Sequence, residues 1–78
     1  MYQYMIVING AKSEIQDATA LDRWNSTAWQ IEERGYIGKL RRRLVTDADI
    51  MDGLTDKTGW MVIHGQAISP WETIAQVG

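Results

Sequence analysis

The chain contains no cysteine and no phenylalanine, and it has a single histidine and a single proline. Without cysteine it can form neither disulfides nor thiolate-ligated zinc or iron–sulfur sites, and this composition suits a reducing cytosol. One histidine, with no carboxylate cluster at ligand spacing, provides too few donors for a metal centre. The sequence therefore predicts no metal and no cofactor.

Long apolar runs are missing as well. No run approaches the roughly 18 residues of a membrane helix, and the N-terminus lacks the basic segment that opens a signal peptide. We therefore expect a soluble, unprocessed, cytoplasmic protein with no membrane partner. Its 78 residues fit one domain, spanning 1–78. A domain of this size buries only about 60% of its unfolded surface, so a thin stability margin is expected.

Charge is unevenly distributed along the chain. The formal net charge is −2, which gives no overall attraction to nucleic acid or to an anionic membrane. Residues 1–45 carry a balance of +2, whereas residues 46–78 carry −4. Two arrangements remain open: the acidic segment folds back beside the basic one and neutralises it, or the basic segment stays available to a partner.

Half of the positive charge lies in residues 36–45, around which the rest of the chain is organised. Because side chains alternate between the two faces of an extended strand, this stretch predicts a strand with one basic face. The cations of that face are Lys39, Arg41 and Arg43. Arg42 falls on the other, apolar face. We expect it to pair with an acid from residues 47–56, or to mark an edge strand that uses a charge against unwanted pairing.

A hairpin is predicted at the N-terminus. Apolar and polar residues alternate over residues 2–8, and the stretch ends in Asn9 and Gly10. These two residues favour a type I′ turn, in which both central positions have positive φ. A register that keeps the apolar side chains together follows from the turn. Its predicted pairs are Ile8 with Ala11, Ile6 with Ser13 and Tyr4 with Ile15 on the apolar face, and Val7 with Lys12 and Met5 with Glu14 on the other.

Between residues 17 and 34 the apolar residues recur with the period of a helix. We expect Thr19 to cap its N-terminus and Gly35 to end it. The predicted apolar stripe comprises Leu21, Trp24, Ala28 and Ile31. Trp29 lies off this stripe. It either packs beneath a loop or the C-terminal segment, or stays exposed as an interface anchor, a role in which tryptophan is enriched.

The C-terminal half is predicted to hold a short helix over residues 47–54, a strand over residues 60–68 and a last short helix over residues 71–77. Within that strand we expect His64 to be half-buried and Gly65 to mark a bulge. The predicted order is ββα-β-(short α)-β-α. The fold class is therefore α+β, an antiparallel sheet of about four strands with one long helix packed on a face.

One short motif suggests chemistry. Residues 56–59, Asp-Lys-Thr-Gly, match the tetrapeptide that contains the phosphorylated aspartate of P-type ATPases. The match ends there, because Trp60 replaces the threonine expected next, and an ordinary polar turn explains all four residues. His64 has neither a nucleophile nor an orienting partner in the sequence. We therefore predict no catalytic residues and a protein that is not an enzyme.

In size and composition the chain resembles the small single-domain inhibitors carried by phages, of which the anti-CRISPR proteins are the best-known class. The resemblance covers the general character of the chain, rests on no motif and transfers no residue roles. It implies a non-enzymatic protein-binding module that inhibits a host nucleic-acid-processing defence complex. The residues expected to contact a protein partner are Lys39, Arg41, Arg43, Trp29 and Tyr36. A different contact surface, which would imitate nucleic-acid phosphates in a basic groove, comprises Asp47, Asp49, Asp52 and Asp56.

The alternative is a small nucleic-acid-binding or regulatory domain that uses the basic strand 39–43. Its cations would contact phosphates while Tyr36 or Trp60 stacks on a base. The negative net charge counts against this hypothesis. Homo-oligomerisation through edge strands or spare tryptophan surface is compatible with both hypotheses.

Overall fold

The computed structural model describes residues 1–48 and 59–78. These residues form six strands and one helix. The strands are β1 (Tyr2–Ile8), β2 (Ala11–Lys12), β3 (Gly38–Asp47), β4 (Met61–Ile63), β5 (Gln66–Ile68) and β6 (Glu72–Val77), and the helix is α1 (Thr19–Glu33). The predicted α+β class and the antiparallel sheet are confirmed, and the sheet contains more strands than predicted.

Strand β3 is the centre of this sheet. All pairs are antiparallel in the order β2-β1-β3-β5-β4, and β6 also pairs with β3. The ten residues of β3 accommodate two partners along one edge, since β6 pairs with residues 38–42 and β5 with residues 45–47. The predicted basic strand is therefore confirmed. It lies inside the sheet, so the interpretation of Arg42 as the mark of an edge strand was wrong.

The first hairpin has the predicted turn. Asn9 and Gly10 have φ values of 50° and 85°, as a two-residue type I′ turn requires. Glycine, and asparagine to a lesser degree, adopts positive φ at low cost, which is why these two residues specify the turn. The pairs that form as predicted are Ile8 with Ala11 and Val7 with Lys12.

The pairing of the hairpin changes at Ser13. The Ser13 hydroxyl accepts a hydrogen bond from the N–H of Ile6 (2.9 Å), while the Ser13 N–H donates to the Ile6 carbonyl (2.8 Å). The Ser13 hydroxyl thus takes the place of a backbone carbonyl as the acceptor. The segment after Ser13 then contains one extra residue before it pairs with β1 again. Tyr4 consequently bridges to Gln16. The predicted pairing of Tyr4 with Ile15 was wrong for this reason.

Helix α1 begins and ends close to the predicted residues. The Asp17 carboxylate accepts hydrogen bonds from the hydroxyl (2.6 Å) and the N–H (2.9 Å) of Thr19. Asp17 thus stabilises the first turn, and Thr19, the predicted cap, is the first helical residue. At the other end Gly35 has a φ of 73°, and the N–H of Tyr36 donates to the Ile31 carbonyl (3.0 Å). This arrangement is a Schellman motif, so the predicted helix end is confirmed.

The helix packs on one face of the sheet. The buried residues of this core are Tyr4, Ile6, Ala20, Trp24, Ile31 and Leu40. The predicted stripe is correct at Trp24 and Ile31, but Leu21 is 37% exposed whereas Ala20 is completely buried. The stripe therefore begins at Ala20, whose small side chain allows the first turn of α1 to lie close against the sheet.

Two predictions for the C-terminal half were wrong. Residues 60–68 do not form one strand, because His64 and Gly65 make a turn with φ values of 50° and 74° between β4 and β5. His64 is consequently exposed and not half-buried. Residues 72–77, predicted as most of a last helix, form strand β6. Pairing with β3 satisfies the backbone of a segment that is too short for a stable isolated helix.

The predicted short helix over residues 47–54 falls mostly on residues 49–58, which lie outside the described residues. Asp47 is the last residue of β3, and Ala48 follows it in a turn. The beginning of that predicted helix is therefore strand and turn.

Candidate interaction surfaces

The residues predicted to contact a partner lie on different sides of the molecule. Helix α1 covers the face of the sheet that carries Leu40. Alternation along β3 therefore places Lys39, Arg41 and Arg43, the basic face, on the opposite side. Trp29 lies on α1 with 58% of its surface exposed, so of its two predicted arrangements the structure has the exposed one. Trp29 and the basic face do not form one contact surface.

The remaining predicted residues are not part of the basic face either. Tyr36 is 41% exposed and lines a cleft between α1 and the β1–β2 hairpin. Asp47, at the end of β3, is the one member of the acidic set that the structure describes, and it is exposed. The others, Asp49, Asp52 and Asp56, lie outside the described residues, as do residues 56–58 of the ATPase-like tetrapeptide.

The strand neighbours of the basic face are neutral. Within the described ladders, the residues opposite its three cations are Val7, Met5 and Gln3 on β1 and Gln76 and Thr73 on β6. An acid directly opposite a cation in a strand pair would attract it and partly offset its charge. The cross-strand neighbours therefore leave the positive charge of this face in place.

Trp71 contacts two of the three cations. The guanidinium of Arg43 lies 4.6 Å from the centroid of the Trp71 ring, a cation–π geometry, and its Nε donates to Gln3 Oε1 (2.8 Å). Arg41 donates from Nη2 to the Trp71 carbonyl (3.4 Å), while its Nε is buried without a partner. The basic face is therefore held in a defined geometry by a residue that the sequence assigned to a helix.

Arg42, on the helix-facing side of β3, is paired within the sheet. Its Nε donates to Glu72 Oε1 at 2.7 Å, and its guanidinium lies 4.5 Å from the centroid of the Tyr2 ring. The hydrogen bond to Glu72 raises the pKa of Arg42 above its ordinary high value. The predicted pairing with an acid from residues 47–56 was wrong, because the partner comes from β6, where Glu72 stands directly opposite Arg42.

The edge strand β4 presents a continuous apolar surface, which we call the β4 edge (Met61, Val62 and Ile63). These side chains are 51%, 55% and 43% exposed. Successive residues of a strand point to opposite faces, so both faces of β4 are exposed. Among the described strands β4 pairs only with β5. The alternation of residues did not predict this surface. It indicated one apolar strand over residues 60–68 and could not show whether that strand lies at the edge of the sheet.

Two features are absent from the part of the chain that the structure describes: a cluster of metal-ligating side chains and a membrane-spanning helix. Across 1–48 and 59–78, no group of three or more His, Asp or Glu side chains is placed to hold a metal ion. In the same part of the chain, no helix has the length and apolarity needed to cross a membrane.

Fold and surfaces together define a small α+β protein with one helix packed on an antiparallel sheet in its described residues. No protein-family model matches the chain, and comparisons with curated proteins and with solved structures give no match either.

Proposed function

We propose that this chain is a non-enzymatic protein-binding module whose contact surface is the β4 edge. One observation supports the proposal most strongly: three consecutive apolar residues are exposed on an edge strand that carries no charge. Edge strands are commonly protected by charged residues, proline or bulges. An exposed apolar edge is suited to strand addition, in which a partner bonds to the backbone and contacts side chains on both faces.

Burial of the β4 side chains would contribute more to the free energy of binding than the backbone hydrogen bonds of β4 would. Three residues offer only a few backbone hydrogen bonds, each worth on the order of 1 kcal/mol net. Complete burial of an exposed Met, Val or Ile side chain contributes about 1.5–3 kcal/mol, so covering three half-exposed ones contributes roughly 2–4 kcal/mol. Association itself costs several kcal/mol. The interface must therefore extend beyond β4 itself.

A component of a host nucleic-acid-processing defence complex is the partner class that we propose to test first. This choice rests on the resemblance in size and composition to phage-encoded inhibitors. An inhibitor that occupies a surface needs a stable scaffold and an exposed patch, and it needs no catalytic groups. The β4 edge on its sheet supports that kind of action.

A retention experiment with a charged variant tests the contact surface. The tagged wild-type chain and its Val62→Lys variant are incubated with extracts of host cells, and retained proteins are identified by mass spectrometry. With a lysine in the middle of β4, a partner that adds a strand to this edge would have to cover a positive charge, which is unfavourable. Ile15→Lys is the matched control, because Ile15 is 52% exposed and lies outside the strands. We expect Val62→Lys alone to reduce retention, by roughly tenfold or more.

Equal retention by the Val62→Lys chain, or no retained protein with any chain, would overturn the proposal. Trp29→Ala belongs in the same experiment, since Trp29 remains a predicted anchor. A partner lost with Trp29→Ala and kept with Val62→Lys would move the contact surface from β4 to α1.

Nucleic-acid binding by the basic face is the second candidate function. It is favoured by three cations on one sheet face with neutral neighbours across the strands. Phosphate contacts depend steeply on salt, because each neutralised phosphate releases counterions.

Fluorescence anisotropy with generic single- and double-stranded DNA and RNA, at low and at physiological salt, tests this candidate. In the double variant Lys39→Gln and Arg41→Gln, the slope of the logarithm of the binding constant against the logarithm of the salt concentration should become shallower. The expected change is about 0.7–0.9 for each cation removed. Arg23→Gln, which removes a charge from α1, serves as control and should leave the slope unchanged. Absence of binding even at low salt would exclude this use of the basic face.

A further inference from the structure

A preformed cleft lies between one flank of α1 and the β1–β2 hairpin, away from both the β4 edge and the basic face. Its volume is about 490 Å³, which lies within the usual range for small-molecule sites. Ile6, Ile8 and Ile31 give it an apolar lining, and two of the three, Ile6 and Ile31, belong to the buried core. The cleft is thus lined in part by residues of the core that α1 forms with the sheet.

The charged residues of this cleft all have the same sign. Lys12 from β2 and Arg23 and Arg34 from α1 and its end line it, and no acidic residue does. All three are exposed. Within the described residues none of their side chains makes a hydrogen bond or an ion pair. A chain with a net charge of −2 therefore places three cations, none of them paired with another described residue, around one apolar cavity.

The end of the cleft near Tyr36 is fixed by the backbone. The N–H of Asn9 donates to the Ile37 carbonyl (2.8 Å), and the N–H of Ile37 donates to Asn9 Oδ1 (2.9 Å). These two bonds join the hairpin turn to the segment that follows α1, while the Schellman motif fixes the path of the chain between Ile31 and Tyr36. These bonds tie the two walls of the cleft together at this end, as is common in ligand sites that are largely preformed.

Beside the cleft, one buried polar atom has no hydrogen-bond partner among the described residues. Gln16 lines the cleft, and its Nε2 donates to Ser13 Oγ (3.2 Å). Its Oε1 is buried and accepts no hydrogen bond. A buried acceptor without a donor is costly. This oxygen is inaccessible to solvent, so it is not available to a ligand in the open cleft, and Gln16 contributes only to the lining.

We infer that this cleft binds a small organic anion with an apolar body. The isoleucines match the apolar body, and the three cations match a carboxylate or sulfonate. Arginine is well suited to such anions, because its guanidinium can donate two parallel hydrogen bonds to them. The site is independent of the β4 edge, so each can fail without the other.

The fluorescent probe anilinonaphthalene sulfonate tests this inference, because it combines a phenyl ring and a naphthalene ring system, which form an apolar body, with a sulfonate. Phenylnaphthylamine retains the rings and the N–H but has no sulfonate, so it measures the contribution of the charge. In the double variant Arg23→Gln and Arg34→Gln, we expect the affinity for the sulfonate probe to fall by about tenfold or more. The affinity for the neutral probe should change little. Both arginines are exposed, so the variant should keep its fold, which circular dichroism verifies.

Two matched controls locate the probe. Lys39→Gln removes a cation from the basic face, and Val62→Lys alters the β4 edge. Both should bind the sulfonate probe as the wild type does. Amide chemical-shift changes induced by the probe should cluster around Ile8 and Thr27, which line opposite walls. Unchanged affinity in the double arginine variant, or an equal loss with either control, would overturn the inference.

Discussion

Gly38, the first residue of β3, lies against side chains of α1 and β6. A Cβ atom at this position would lie 3.0 Å from Ile31 Cγ2 and 3.2 Å from Val77 Cγ2, which is closer than packed side chains normally approach. We therefore expect Gly38→Ala to destabilise the protein by about 1–3 kcal/mol through overpacking. Urea denaturation measures this change. Gln76→Ala, at an exposed position of β6, is the control, and equal midpoints for both variants would contradict the packing argument.

Asp17 makes the stability of the helix start dependent on pH. The Thr19 hydroxyl, followed by the Thr19 N–H, donates to the Asp17 carboxylate and holds the pKa of Asp17 below its ordinary value of 3.8. A pKa that is lowered by folding contributes stability above the unfolded value, and that contribution is lost as the pH falls through the folded value. We expect Asp17→Ala to lower the melting temperature by a few degrees at pH 7. That difference should disappear on acidification below the folded-state pKa. A difference that stays constant down to pH 2 would show that the carboxylate charge plays no part.

At the scale of single residues, local conformation was predictable and distant contacts were not. Asn9, Gly10 and Gly35 were assigned correctly, because the turn and the helix end each require positive φ at those positions. His64 also has positive φ, yet histidine seldom adopts that conformation, so the alternating pattern around it predicted a strand. The partner of Arg42 was missed because Glu72 lies thirty positions away along the chain.

At the scale of elements, the two tryptophans of α1 have opposite roles. Trp24 is 6% exposed in the core, whereas Trp29 is 58% exposed. We expect Trp24→Ala to cost about 3–5 kcal/mol of stability, because it removes a large buried ring and leaves a cavity. Trp29→Ala should change the stability by less than about 0.5 kcal/mol. Chemical denaturation of both variants measures the contrast, and a loss with Trp29→Ala comparable to that with Trp24→Ala would show that Trp29 is packed.

The apolar pattern of the last strand, β6, is compatible with both a helix and a strand. Trp71, Ile74 and Val77 recur at helical spacing, but the same segment is rich in β-branched residues, which favour strands. The choice depends on β3, whose free edge offers hydrogen bonds to residues 72–77. Since that edge is formed by residues far away in the sequence, the local pattern could not decide between helix and strand. The hairpin β1–β2 has no such ambiguity, because its partner strands are adjacent and joined by a specific turn.

At the scale of the whole molecule, the sequence predicted the composition of the surfaces but not their arrangement. The alternation of Lys39, Arg41 and Arg43 was enough to place three cations on one face. That Trp29 lies on the other side of the sheet, and that Trp71 holds two of the arginines, depends on which face α1 covers and where β6 pairs. The β4 edge was missed for the same reason, since a strand becomes an edge only through the order of the sheet.

Photo-crosslinking from β4 tests the proposed contact surface most directly. The photoreactive residue benzoylphenylalanine is introduced at position 62 in one chain and, as control, at position 15 in another, and both are irradiated in host-cell extracts. Protein binding through the β4 edge predicts a light-dependent adduct with one defined protein from position 62 and none from position 15. No adduct from position 62, or the same adducts from both positions, would contradict the account.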